Sequence, residues 1–200
     1  MKNLSLDLSI VILTYNRQEC LKELLLEMTL LLPHVLEIIV IDNCSTDGTS
    51  EMIDSEFGDF IHHVTDRNIG VCARNIGMKM ASGSVIVTID DDIMGLSILD
   101  LKWLSSEFRK DEQLGCLNFK VLDWTTKELC NWVHHRSTEE SDNRFPTYEI
   151  TEGAVAFRRE ALAKTSGYFE TFFISHEGPD LAFRIMNAGY RVEYDGSIAV

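Results

Sequence analysis

The chain reads as an α/β protein, a mainly parallel central sheet flanked by helices on both faces. Three observations predict this class. Short runs rich in Val and Ile recur with helical stretches between them, the runs are apolar throughout, and polar residues gather where each run ends. A strand buried on both faces is continuously apolar, whereas a strand with one wet face alternates.

The elements follow in order. Ser9 to Leu13 is the first strand, closed by Thr14-Tyr15-Asn16. Gln18 to Leu32 carries leucines at helical spacing and stops before Pro33. Glu37 to Ile41 is a second strand, followed by Asp42-Asn43 and a helix over Thr49 to Phe57 that starts after a Thr-Asp-Gly turn. Phe60 to Val64 is a third strand, Val71 to Ala81 a helix weakened by Gly77, and Val85 to Ile89 a fourth strand. Beyond Asp92 the pattern loosens. The spacing predicts a helix over Ile98 to Arg109, strands over Leu114 to Phe119 and Ala154 to Phe157, and a short helix over Arg159 to Lys164. Pro179 to Ala188 is a further helix, since Pro suits the first helical position and Gly189 follows its end. The polar stretch from Thr125 to Pro146 is too long for an ordinary connection and is expected to be a mobile or functional loop.

At 200 residues the chain suits one domain with a sizeable core. Its 18 Lys+Arg against 32 Asp+Glu leave a net charge of −14, which disfavours nucleic acid and anionic membrane surfaces as partners. Phosphate-bearing small molecules stay open, because a divalent cation reverses the local sign. Five cysteines, odd in number and without a CxxC, fit a reducing compartment. Lys2 and the apolar stretch Leu8 to Leu13 do not make a signal peptide, and no window reaches membrane-spanning length, so a cytoplasmic chain is expected.

In open parallel sheets the ligand sits outside the carboxyl ends of the strands. Those ends hold Thr14, Tyr15 and Asn16; Asp42 and Asn43; Asp66; and Asp90, Asp91 and Asp92. Strand alternation would turn Asp90 and Asp92 one way and Asp91 the other. Two carboxylates on one side suit a hard cation such as Mg2+ or Mn2+, or else form a solvated turn. Asp42-Asn43 suits a ribose or base edge, or an Asx turn. Asp66 to Gly70 precedes a helix bearing Arg74, which suits a phosphate or a capped surface helix. Glu177, near a positive helix end, suits a proton-accepting carboxylate or a cap, with Asp180 spaced to pair with Arg184. The pairs His62-His63 and His134-His135 lack helical ligand spacing and read as structural or exposed. Trp124 and Trp132 suit sugar stacking or core packing.

Taken in order, SIVILTYNR (Ser9 to Arg17), VIDNCSTDGT (Val40 to Thr49), NIGVCARNIGMKMASG (Asn68 to Gly83), TIDDD (Thr88 to Asp92), EGAVAFRREAL (Glu152 to Leu162), GYFETFF (Gly167 to Phe173) and HEGPDLAFRIMNAGY (His176 to Tyr190) resemble the family 2 glycosyltransferases. The resemblance implies a Rossmann-like GT-A fold and inverting transfer of a sugar from a nucleotide diphosphate donor, commonly UDP-linked. It implies Mn2+ or Mg2+ as cofactor and a saccharide or lipid-linked saccharide as acceptor, in a setting such as bacterial polysaccharide or glycoconjugate synthesis at the inner face of the membrane. Residues 1–95 would form the nucleotide-sugar half and residues 96–200 the acceptor half, with Phe119 to Thr151 and Phe169 to Ser175 as acceptor surface.

Carried over by position, Thr14, Tyr15, Asn16, Asp42, Asp66, Arg74, Asp90 and Asp91 would bind the nucleotide. Asp90 and Asp92 match the DxD motif, with Asp92 the more direct metal ligand. Glu177 falls in the segment that supplies the base, and Asp180 follows it. Two departures stand out. The family segment commonly reads Glu-Asp-x-Asp, and here its second carboxylate is replaced by Gly178. A metal-binding His common beyond the last strand has no counterpart, so the acceptor half is expected to be cut short. These departures leave a non-catalytic sugar-nucleotide binding module as the alternative. A nucleotidyltransferase lacks support, since Tyr15-Asn16-Arg17 replaces a Gly-rich basic loop, and no GxGxxG follows the first strand for a dinucleotide enzyme.

Overall fold

The computed structural model describes residues 5–130, 132–133 and 135–200; Lys2 and His134 lie outside the described residues. Four strands, β1 (Leu8–Thr14), β2 (Glu37–Asp42), β3 (Ile61–Val64) and β4 (Val85–Asp90), pair in parallel in the order β3-β2-β1-β4. β8 (Ala154–Arg158) then runs antiparallel between β4 and β5 (Leu114–Leu122), and β5 pairs in parallel with β9 (Arg191–Ala199). The short β7 (Arg144–Pro146) closes that edge against β9, and β6 (Leu129–Cys130) pairs with β5. The sheet is therefore mixed: its first half is parallel as the apolar runs predict, and β8 inserts against the grain.

Alternation along the strands divides the core. Leu8, Ile10 and Ile12 of β1, Ile38 and Val40 of β2, and Val85, Val87 and Ile89 of β4 face one layer. There they meet Leu21, Leu24, Leu25 and Met28 of α1 (Gln18–Met28), Met52 and Ile53 of α2 (Thr49–Glu56), and Leu101, Leu104 and Phe108 of α4 (Ile98–Lys110). Val11, Ile39, Ile41, Ile86, Val155 and Phe157 face the other layer, against α3 (Arg74–Met80), α5 (Arg159–Thr165) and α6 (Glu177–Asn187). This two-sided burial is why the strands carry no polar alternation. β3, at the edge, is the exception, with Ile61 and Val64 exposed.

Several boundaries depart from the sequence expectation. α1 ends at Met28, and a separate 3-10 turn over Leu32–His34 takes up Pro33. The helix expected over Val71 to Ala81 is a 3-10 turn, Gly70–Ala73, leading into α3. α6 starts at Glu177, two residues before Pro179, because His176 takes a left-handed conformation that turns the chain into the helix. The stretch from Thr125 to Pro146 is not a plain loop. It holds β6, a 3-10 turn over Thr138–Glu140 and β7, and it buries Val133, Phe145 and Tyr194 as a small third cluster. Trp132 packs edge-on against Phe145 and Tyr194 and donates its indole N–H to the Arg136 carbonyl, so its role is packing.

Candidate active site at the sheet switch point

β1 sends its connections toward β2 and β3 on one side and has β4 on the other, so the strand order reverses between β1 and β4. Such a reversal opens a crevice at the strand carboxyl ends. A cavity of about 650 Å³ lies there, lined by Thr14, Tyr15, Arg17, Asn43, Asn68, Arg74, Asp90, Asp91 and Asp92, and across from them Glu152, Phe173 and Glu177.

The acidic wall is ordered by hydrogen bonds. The Thr14 hydroxyl donates to Asp91 at 2.8 Å, and Arg17 reaches both Asp91, at 3.3 Å, and Asp92. Asp90 instead takes the buried Arg74 guanidinium. The expected pairing of Asp90 with Asp92 on one face is corrected here. β4 ends at Asp90 and the chain turns, so Asp91 and Asp92 share Arg17 while Asp90 points to Arg74. Burial pushes the Asp91 carboxyl above its ordinary value, with the Thr14 bond and Arg17 opposing. Asp92 holds Arg17 in its charged form by a direct hydrogen bond.

The other residues expected to bind the nucleotide divide. Thr14, Tyr15, Arg74, Asp90 and Asp91 reach the cavity. Asn16 does not; its side chain accepts from the Thr46 N–H at 2.7 Å and braces the loop after β2. Asp42 is fully buried and forms a turn, accepting from the Ser45 N–H at 2.8 Å and from the Ser50 hydroxyl. Its neighbour Asn43 faces the cavity instead, donating to Asn68 Oδ1 at 2.9 Å and to the Gly70 carbonyl while accepting from the Ile69 N–H. Asp66 lines a separate cavity with His63 and Arg67. His62 pairs with Asp54 and His135 stacks on Tyr148, which is the structural role expected of them. Trp124 is exposed under Lys127 and is absent from the cavity wall.

The opposite wall carries two carboxylates. Glu177 opens α6 and is buried, with Oε2 inaccessible and unpartnered. Asp180 is held by Arg184 at 2.6 Å, as its spacing suggests, and does not line the cavity. Glu152 is the residue that sequence reasoning left without a role. Its Oε2 lies 3.7 Å from Arg74 Nη1 and 3.4 Å from the Tyr168 hydroxyl, and its Oε1 is inaccessible and unpartnered. Burial pushes Glu152 up to about 7; Arg74 and the Tyr168 bond oppose this and the Glu177 charge adds to it. The charge of Glu152 in turn raises Tyr168 and Cys116 further above values already lifted by burial. The sequence signal for Glu152 was the Glu-Gly pair before a strand. Without knowing that β8 runs antiparallel, nothing puts the start of that strand, rather than its end, at the ligand edge. Here the Asp90 N–H donates to the Gly153 carbonyl at 2.8 Å and fixes Glu152 beside the end of β4.

The mixed sheet flanked by helices on both faces, with its parallel first half, is matched by solved GT-A glycosyltransferase structures. The chain matches a structure of GalNAc-T7 with UDP, GalNAc and Mn2+ at a TM-score of 0.74, with 18% identity, over 98% of this chain and 43% of that one. Residues 1–349 of TarS from S. aureus match at 0.75, also with 18% identity, over 96% of this chain and 58% of theirs. A Pyrobaculum calidifontis mannosyltransferase with GDP-Man and Mn2+ matches at 0.71, with 19% identity, covering 96% and 55%. In sequence, residues 9–94 match the model of glycosyl transferase family 2. Over 93 residues it is 36% identical to an undecaprenyl-phosphate 4-deoxy-4-formamido-L-arabinose transferase of Yersinia pestis (strain Pestoides F), the match covering 42% of this chain and 28% of that protein. The chain thus spans under a third of that curated relative and about half of the solved ones.

Proposed function

We propose that this chain is the GT-A domain of a glycosyltransferase that moves a sugar from a nucleoside diphosphate, UDP in the first instance, to an acceptor hydroxyl with inversion. The observation that carries this reading is the cavity itself, with the acidic turn Asp90–Asp92 on one wall and Glu152 and Glu177 on the other. A donor diphosphate and an attacking hydroxyl need opposed walls of this kind, and a module that only binds the donor has no use for the second. Thr14, Tyr15, Asn43 and Asn68 bind the nucleoside, and Arg74 the diphosphate.

The acidic turn fits a divalent metal. Asp90, Asp91 and Asp92 offer hard oxygen donors at the cavity wall, and Mg2+ or Mn2+ needs only one or two protein carboxylates when phosphates complete its shell. Among the described residues no group of three His, Cys, Asp or Glu side chains stands ready for a metal. Asp92 would hold the ion, which when bound would neutralise the charge that develops on the departing diphosphate. The fold's own contribution is to hold donor and acceptor in line, where orientation is worth up to about 7–11 kcal/mol. On the acceptor side a carboxylate takes the hydroxyl proton; the sequence reading assigns this to Glu177, with Asp180 as substitute. Asp180 is bound to Arg184 and is the weaker of the two.

The acceptor is a saccharide or lipid-linked saccharide; the name of the Yersinia relative carries a lipid phosphate, undecaprenyl-phosphate. Among the described residues no helix is long and apolar enough to cross a membrane. Calorimetric titration of UDP with Mn2+, then with EDTA, and of GDP and dTDP in parallel, tests the donor site. Metal-dependent binding of one nucleotide is expected; binding of none refutes the reading.

A further inference from the structure

We propose that Glu152, supplied by the loop before β8, is the residue that accepts the acceptor hydroxyl's proton, in place of a carboxylate on α6. The proposal rests on the glycosyltransferase reading and adds to it the identity of the base.

The argument begins at Gly178. A Cβ on this residue would overlap the Ile150 carbonyl oxygen and would lie 3.1 Å from Glu152 Oε1. The space that a side chain at 178 would enter is therefore taken by the Ile150 carbonyl, with the Glu152 carboxyl beside it. α6 gives up a side chain at its second residue, and the neighbouring loop delivers an acid to the same point.

Glu152 is also the better presented of the two acids on this wall. Its side chain is 24% exposed and lines the cavity, whereas Glu177 as a residue is only 5% exposed. It is oriented from two sides, by Arg74 and by the Tyr168 hydroxyl, as a proton acceptor needs to be. Arg74 lies between Glu152 and Asp90, so a single guanidinium links the acid to the end of β4.

The backbone supports the same assignment. Glu152 has φ +56° and Gly153 φ +80°, two left-handed residues in succession. A side chain as long as Glu is rarely held in this region, and such strain gathers at functional sites. Asn118 holds the approach to this turn, donating to the Glu149 carbonyl at 3.1 Å and accepting from the Thr151 N–H at 2.9 Å. The raised proton affinity that burial gives Glu152 suits a base working near neutral pH.

In the step itself, the acceptor oxygen forms its bond to the anomeric carbon as the bond from that carbon to the diphosphate oxygen breaks. The diphosphate leaves with the electron pair, and the hydroxyl proton passes to the Glu152 carboxylate. Glu177 stays beside it as a negative neighbour that strengthens Glu152 as a base.

The test compares wild type, Glu152→Gln and Glu177→Gln, with UDP-, GDP- and dTDP-hexoses as donors and water as the acceptor. Release of nucleoside diphosphate in the presence of Mn2+ is the first readout and calorimetric binding of the nucleotide the second. Glu152→Gln is expected to bind the nucleotide within about threefold of wild type and to lose roughly 10²–10⁴ in kcat. Glu177→Gln is expected to lose at least about tenfold less turnover than Glu152→Gln, with the acidic limb of its pH profile moved to lower pH. A Glu152→Gln enzyme that keeps more than a tenth of wild-type turnover overturns the assignment, as does loss confined to Glu177→Gln. A wild type that binds no nucleoside diphosphate overturns the glycosyltransferase reading itself, which sets that failure apart from the other two.

Discussion

Replacing Glu152 by Gln makes a stability prediction that does not depend on turnover. The folded protein holds this carboxyl up to about 7, against an ordinary value of 4.5, because burial penalises its charge more than Arg74 and Tyr168 favour it. The folded state therefore binds the proton more tightly than the unfolded state. Between pH 4.5 and 7 the contribution of this group to stability falls as pH rises, because the unfolded chain gives up its proton first. Above 7 the loss is complete. The gap between the two values, at about 1.36 kcal/mol per pH unit, comes to about 3 kcal/mol. Glutamine has the shape of the protonated acid and no titration. The variant should match wild type near pH 4.5 and exceed it by about 3 kcal/mol at pH 8. For a chain of this size that is a rise in melting temperature of roughly 6–12 °C at pH 8. Thermal melts of both proteins by circular dichroism from pH 4.5 to 8 measure it. A difference that does not change with pH, or a variant less stable at pH 8, refutes the claim that this carboxyl is held against its charge.

Three further outcomes follow from the same geometry. Gly178→Ala forces a methyl group against the Ile150 carbonyl and should cost about 1–3 kcal/mol in a urea unfolding curve; an unchanged midpoint would mean that the 150–152 loop yields freely. Asn118→Leu removes the bonds to the Glu149 and Glu193 carbonyls and from the Thr151 N–H, and should lower stability by about 2–4 kcal/mol by the same measurement. Asp92→Ala should abolish the rise in melting temperature that UDP with Mn2+ gives wild type, since ligand bound only to the native state stabilises it; an equal rise in the variant would remove Asp92 from the metal-bearing turn.

The parallel half was legible because each strand is buried on both faces and so spells itself as an unbroken apolar run, as in Glu37 to Ile41 and Val85 to Ile89. Its carboxyl-end residues could then be located by rule, and Thr14, Tyr15, Arg74 and the three aspartates do line the cavity. What periodicity does not encode is where a polar side chain goes once a strand has ended. Asp42 and Asn43 are adjacent in sequence, yet the first turns into its own loop and the second faces the cavity. The same limit applied to Asp90 and Asp92, since alternation stops where the strand does. Glu152 was hidden for a topological reason. The direction of β8 depends on its partners β4 and β5, which lie more than thirty residues away along the chain.

The antiparallel insertion of β8 has a consequence for the order in which this molecule is assembled. β4 is paired on one side with β1, which precedes it in the chain, but its other edge waits for residues 154–158. Until those residues arrive, Ile86, Val87 and Ile89 stand at an open, uncharged sheet edge, a template for pairing with other chains. Long-range pairing of this kind is also slow, because a loop of some sixty residues has to close first. The family-matched segment, residues 9–94, ends before the strand that covers the second edge of β4. Expressed by itself it would aggregate through β4, and the strand that prevents this is the same one that carries Glu152 to the cavity.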